Sequence, residues 1–231
     1  MNKLIITDNN LEIKDNVIDI EINTNKLELN IKGKVLINEI RKSSNEELEL
    51  TINMLPNSSL VYNRFIIHNK VNNKFTLNQD YNSNLTFNYS ILANDTCNIE
   101  LNSNLNGDNN NTEISIKCVT ENSGNTNIKS EAKVIPNIKE NDLLESIKVL
   151  NLNNSNNIIM PNLLVSSNEV TVNHAATISS IDPNYLFYLN SKGISNENAI
   201  KLIKNGYLIS NININKNIKE EIDNLLGGQY E

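Results

Sequence analysis

The chain of 231 residues contains no tryptophan, only 4 prolines, 7 glycines and 2 cysteines, and its aromatic content is 5%. Each shortage removes a class of protein. Cys97 and Cys118 cannot make a disulfide framework, and neither belongs to a Cys-x-x-Cys pair or a ferredoxin-like run. They are expected to be small buried residues, and a reducing cytoplasm is the simplest compartment. Their separation, near two strands, also fits equivalent positions on successive coils, although chance fits it nearly as well. No apolar run approaches a membrane span, and the opening Met1 to Asp8 is too weakly apolar for a signal peptide. The formal net charge is −7 and Lys/Arg do not cluster, which excludes the concentrated basic surface that nucleic-acid phosphates require. No Gly-rich Lys-Ser/Thr loop is present to cradle nucleotide phosphates, so the chain itself is not expected to hydrolyse ATP.

What the chain has in excess is asparagine, roughly a fifth of all residues and far above ordinary usage. It occurs at core-like and surface-like positions alike, as codon bias in an AT-rich genome would produce. Apolar alternation persists through it, so a folded chain is expected rather than a prion-like one.

From Leu4 to about Val172, short alternating segments are separated by Asn/Asp/Ser/Gly clusters. Val17-Ile18-Asp19-Ile20-Glu21-Ile22, Leu27-Glu28-Leu29-Asn30-Ile31, Leu48-Glu49-Leu50-Thr51-Ile52 and Glu113-Ile114-Ser115-Ile116 carry the period of two of half-buried strands. Turn clusters recur at roughly eight to twelve residues, the spacing of a sandwich, a barrel or a solenoid. Asn106-Gly107 is one of few primed-turn pairs. Asparagine tolerates the left-handed conformation, so Asn-rich corners replace tight hairpins and lean the reading toward stacked coils.

At Asp182 the period changes. Asp182 suits an N-cap and Pro183 the first helical position, Tyr185, Leu186 and Leu189 recur at helical spacing, and Gly193 with Ile194 makes a left-handed stop. Ser195 caps a second helix, with Glu197 in its first turn, an Ala199, Ile200 and Ile203 stripe, and Gly206-Tyr207 closing it. Ile214, Ile218, Ile222 and Leu225 mark a third helix ending at Gly227-Gly228. The expected division is a β core over 1–181 and a helical subdomain over 182–231, whose helices are too short to stand undocked.

The stretch Pro161-Asn162-Leu163-Leu164-Val165, then Asn168-Glu169-Val170-Thr171-Val172-Asn173-His174-Ala175-Ala176-Thr177, resembles the signature of the SufB/SufD family of iron–sulfur cluster assembly proteins. Tyr185-Leu186-Phe187-Tyr188-Leu189-Asn190-Ser191-Lys192-Gly193-Ile194 is similar to that family's Leu-Phe-Tyr-Leu-x-Ser-Arg-Gly-Ile helix, and Ala199 to Tyr207 to the helix after it. The resemblance implies a mainly β fold, a right-handed parallel β-helix followed by a small C-terminal helical subdomain. It implies a non-catalytic scaffold that docks a SufC-like ABC ATPase through its helices and pairs with a SufB-like subunit or with itself. Tyr185, Leu186, Phe187, Leu189, Gly193 and Tyr207 fall on the expected ATPase-docking positions. His174 falls on the motif histidine near the expected dimer interface, where a transient iron–sulfur cluster forms and no stably bound cofactor is expected.

The glutamate that follows the histidine in SufB-type members is Ala175 here, and Asn141 stands nearest to their upstream cysteine, so the chain reads as a short, divergent, SufD-like member. An amide does not replace a thiolate as a soft iron ligand. His68, ending the apolar Phe65-Ile66-Ile67, reads as structural. Two rival readings remain: a β-helix enzyme acting on polysaccharide, for which no paired-carboxylate motif stands out, and an adhesive solenoid, which leaves the capped double helix unexplained.

Overall fold

The computed structural model describes residues 3–121, 124–152, 155–212 and 216–227. Eleven strands occur among them: β1 (Leu4–Ile6), β2 (Asn10–Ile22), β3 (Lys26–Lys42), β4 (Asn45–Met54), β5 (Ser59–Gln79), β6 (Asn84–Leu105), β7 (Asn111–Thr120), β8 (Asn125–Val134), β9 (Lys139–Asn151), β10 (Asn157–Val165) and β11 (Glu169–Ser180). Helices α1 (Pro183–Ser191), α2 (Asn196–Ile209) and α3 (Lys216–Leu225) follow.

Every strand pairing is parallel, and the registers climb in two columns. One face stacks segments from β2, β3, β4, β5, β6, β8 and β10. The other stacks β1, β2, β3, β5, β6, β7, β9 and β11. The long strands β5 and β6 serve both faces by bending at a corner, where their mutual register slips between His68 and Lys70. This is the β-helix that stacked coils led one to expect.

Alternation explains why the coils close. Leu60, Tyr62, Phe87, Ile91, Ile114 and Cys118 are buried on one face and meet Leu50, Phe75, Leu101 and Cys97 from the other in one continuous core. Cys97 and Cys118 therefore do not occupy equivalent positions on successive coils. They sit on opposite faces, and the neighbouring Cys118 thiol together with burial pushes the Cys97 thiol up.

The asparagines do structural work that composition alone conceals. Asn57, Asn82, Asn109 and Asn137 all hold positive φ at the corners leading from the first face to the second, as corner asparagines should. Their neighbours stack side chain on side chain. The amide of Asn63 donates to Asn38 and that of Asn88 to Asn63, both at 3.0 Å. A second ladder climbs Asn10, Asn30, Asn53, Asn78 and Asn104 at 2.9–3.2 Å. Each bond contributes about 1 kcal/mol net, and the ladder holds each coil in register with the next. In the corner after β6, Gly107 is required for a close approach: a Cβ there would lie 2.5 Å from the Tyr81 nitrogen.

The helical tail folds back over the second face. Leu208 of α2, Ile212, and Ile218 and Ile222 of α3 bury against the outward residues Ile40, Phe65, Ile67, Leu92, Val119 and Leu150. Ser90 Oγ donates to the Leu208 carbonyl at 2.8 Å, and Lys3 pairs with Glu221 at 2.6 Å. Contrary to the expectation from Gly206, α2 does not close at Gly206-Tyr207 but runs on to Ile209. Gly206 is not among the positive-φ glycines, and burying Leu208 completely repays the extra turn. α3 ends before Gly227, whose φ is +77. Ile214 and Gly228 lie outside the described residues.

Candidate functional site: the open coil end and the exposed helix

Among the described residues β10 pairs with β8 alone and β11 with β9 alone, so each has a free edge there. Outward rows change character there. The row Lys26, Glu49, Lys74, Glu100, Lys129 ends in Met160; Glu47, Asn72, Asn98, Asn127 ends in Ile158; and Asn30, Asn53, Asn78, Asn104, Lys133 ends in Leu164. Ile158, Met160, Leu164, Val165 and Ile178 are all exposed. Charge and proline both blunt a free edge strand; β10 carries no charged residue but has Pro161 at its centre. Pro161 is tolerated because β10 is an edge.

His174 lies on this end. It is exposed, on β11, in the inward row that runs Ile37, Tyr62, Phe87, Ile114, Glu145, His174. Its register neighbour Glu145 is 1% exposed. One Glu145 carboxylate oxygen accepts from the Ser130 hydroxyl on the opposite face, and the other, Oε2, has no hydrogen-bond partner among the described residues. Burial raises the Glu145 pKa, while the Ser130 hydrogen bond and the nearby His174 pull it back. Sequence reasoning missed Glu145, since in Asp142-Leu143-Leu144-Glu145-Ser146 it reads as one more strand residue. Asn141 proves to be a corner residue: its side-chain oxygen accepts from Asn110 N at 3.0 Å and its amide donates to the Lys139 carbonyl.

The helix after this coil is held but not covered. Asp182 accepts from Asn184 N at 2.9 Å, Pro183 occupies the first turn, and Ile194 N closes onto the Leu189 carbonyl at 3.2 Å beyond Gly193, whose φ is +85. No residue of α1 is buried. Tyr185 is 65% exposed, Phe187 76% and Tyr188 59%, while Leu186 and Leu189 are half-buried. Tyr207 stands apart from these residues. Half-buried on α2, it packs into the cluster beneath the helices, with Lys117 Nζ 5.3 Å from its ring centre.

A third polar group lies deep inside the coils. Arg64 is fully buried and donates through Nε to Glu39 at 2.7 Å and through Nη2 to Glu46. His68 Nε2 lies 2.8 Å from Glu46, and His68 Nδ1 2.8 Å from the Ser43 hydroxyl. Tyr62 donates to Glu39, and Asn73 to Glu46 and the Tyr89 hydroxyl. The Arg64 guanidinium lies 4.9 Å from the Tyr89 ring centre. His68 is thus structural, part of a network that locks the corner where β5 bends.

The profile of the SUF system FeS cluster assembly SufBD core domain matches residues 57–207. The chain belongs to the SufBD core family. The SufBD match spans β5 through most of α2, and so takes in Arg64, Glu145, His174 and the whole of α1. The iron–sulfur cluster assembly protein SufD of Bacillus subtilis (strain 168) is 42% identical over 53 residues, 23% of this chain and 12% of that protein. The chain thus aligns with only a small part of this SufD. The coils before residue 57 keep the same registers and extend the SufBD solenoid.

Proposed function

We propose that the chain is a non-catalytic scaffold subunit of a SUF-type iron–sulfur assembly complex. In this reading α1 docks a SufC-like ABC ATPase, the open coil end pairs with a SufB-like or identical chain, and a nascent cluster is cargo at that paired end. The observation that carries the reading is α1 itself. Its ends are fixed by an Asp cap and a Gly stop, yet Tyr185, Phe187 and Tyr188 face solvent, whereas α2 buries Leu208 and α3 buries Ile218 and Ile222. Exposed aromatic anchors on a preorganised helix are the usual material of a binding hot spot. The uncharged, apolar edge at β10 supports the pairing. Among the described residues no thiolate stands beside His174, so sulfur ligands to a cluster come from the paired subunit in this scheme.

The test is anaerobic co-expression of the chain with the SufC-type ATPase of the same organism, followed by purification and reconstitution with iron and sulfide. The expected result is a stable complex with iron–sulfur charge-transfer absorption once the paired subunit is included. Absence of a complex with that ATPase would contradict the scaffold reading.

A further inference from the structure

The Asn106-Gly107 pair, in the corner between β6 and β7, takes no part in the docking helix or the open coil end. Asn106 is exposed, and among the described residues its side-chain amide makes no hydrogen bond. The Gly107 N–H is likewise unpaired among them, while the Gly107 carbonyl accepts from Asn110 Nδ2 at 2.8 Å. The frame around the pair is fixed. Asn106 N donates to the Gln79 carbonyl at 2.9 Å, Asn82 N to the Asp108 carbonyl at 2.8 Å and Asn109 N to the Lys139 carbonyl at 3.0 Å. Other corner asparagines have engaged side chains: Asn82 Nδ2 donates to Asn57 Oδ1 at 2.5 Å, and Asn109 Nδ2 to Asn82 Oδ1 at 2.7 Å. The second Asn-Gly pair of the chain, Asn205-Gly206, lies inside α2, where Asn205 is 2% exposed and the Gly206 nitrogen is committed to the helical ladder.

We propose that Asn106 is a self-modification site, at which the chain converts its own side-chain amide to aspartate and isoaspartate with water as co-reactant. The Gly107 nitrogen bonds to Asn106 Cγ, the Cγ–Nδ2 bond breaks, and Nδ2 leaves as ammonia, taking up the proton that the Gly107 N–H gives up. Water then adds to one carbonyl of the resulting five-membered imide and breaks the bond from that carbon to the Gly107 nitrogen. Opening at Cγ yields aspartate, and opening at the main-chain carbonyl yields isoaspartate, with Gly107 attached through Cγ; nothing is oxidised or reduced. The reacting atoms belong to neighbouring residues, so no bimolecular encounter is needed. Gly107 has no Cβ to shield its nitrogen, and neither group must first give up a hydrogen bond. Isoaspartate lengthens the main chain by a methylene in a corner without slack, where even a Cβ on Gly107 would lie 2.5 Å from the Tyr81 nitrogen.

The folded chain is incubated at mildly alkaline and at mildly acidic pH beside the urea-unfolded chain, then digested for peptide mass spectrometry with fragmentation that separates aspartate from isoaspartate. In the folded chain conversion is expected at Asn106 at least tenfold faster than at Asn205, and faster at the alkaline pH, where the attacking nitrogen loses its proton more readily. In urea the two pairs should react at similar rates. Asn106→Gln, which would have to close a larger ring, should lose the reaction while the fold is unchanged. The isoaspartate fraction, isolated by ion exchange, should melt at a lower temperature than Asn106→Asp, which carries the other product. An Asn106 that survives in the folded chain while it converts in urea, or conversion of Asn205 at an equal rate in the folded chain, overturns the site. An isoaspartate fraction that melts together with Asn106→Asp overturns the tight-corner consequence.

Discussion

Replacing Arg64 with alanine is expected to lower the unfolding free energy by about 3–5 kcal/mol, the usual cost of stranding buried charge. Glu39 and Glu46 would be left facing each other in a core where both are almost completely shielded from water. Burial alone acts to raise the Glu46 pKa, but Arg64, aided by His68, holds it down at about 2. A carboxylate whose folded pKa lies below its ordinary value of 4.5 stabilises the fold above pH 4.5 and loses that contribution as pH falls toward 2. The wild type should therefore weaken in urea melts across that window. In the Arg64→Ala variant the acid dependence attributable to Glu46 should largely disappear. A loss below about 1 kcal/mol would show that the network is not charged as described. Replacing Arg64, Glu39 and Glu46 together by apolar residues of matching volume should cost far less than Arg64→Ala alone, because the penalty comes from unpaired charge.

The second large effect is expected at the coil end. Met160→Lys with Leu164→Lys places two charges on the edge where three polar rows turn apolar, the device by which free edge strands are kept apart. Sedimentation of wild type with its paired chain, identical or SufB-like, should show a stable pair that the double variant loses, a rise in Kd of at least about 100-fold, or roughly 3 kcal/mol. Both side chains are already exposed, so the fold should be little changed. Unaltered pairing would move the interface away from β10.

The β-strands, the helix caps and the Asn corners were legible because each is local: alternation, an Asp-Pro start, a Gly stop and left-handed asparagine are readable within a few residues, whereas the choice of a β-helix over a sandwich or barrel came from the family resemblance. What converges in space was not. Register partners are 25 residues apart between Asn63 and Asn88, 31 between Ile114 and Glu145, and 29 between Glu145 and His174. A coil of changing length leaves no fixed period from which Glu145 could be placed beside the motif histidine. The Arg64 network was hidden for a related reason, since its members come from β3, β4, β5 and β6, and Arg64 in Tyr62-Asn63-Arg64-Phe65 has the look of a surface residue. Asparagine carried two messages at once. Compositional bias accounts for its abundance, but the ladders select particular asparagines, and only coordinates tell the two apart.

The central claim is that α1 is a docking helix. Calorimetric titration of the purified chain against the SufC-type ATPase of its organism tests it most directly, with wild type compared against Leu186→Asn and Phe187→Asp. Phe187 is 76% exposed and no residue of α1 is fully buried, so the variants should fold normally. Saturable binding by wild type, weakened at least about 30-fold by Phe187→Asp, is the predicted result. Binding of equal strength by wild type and both variants, or no binding at all, would contradict it.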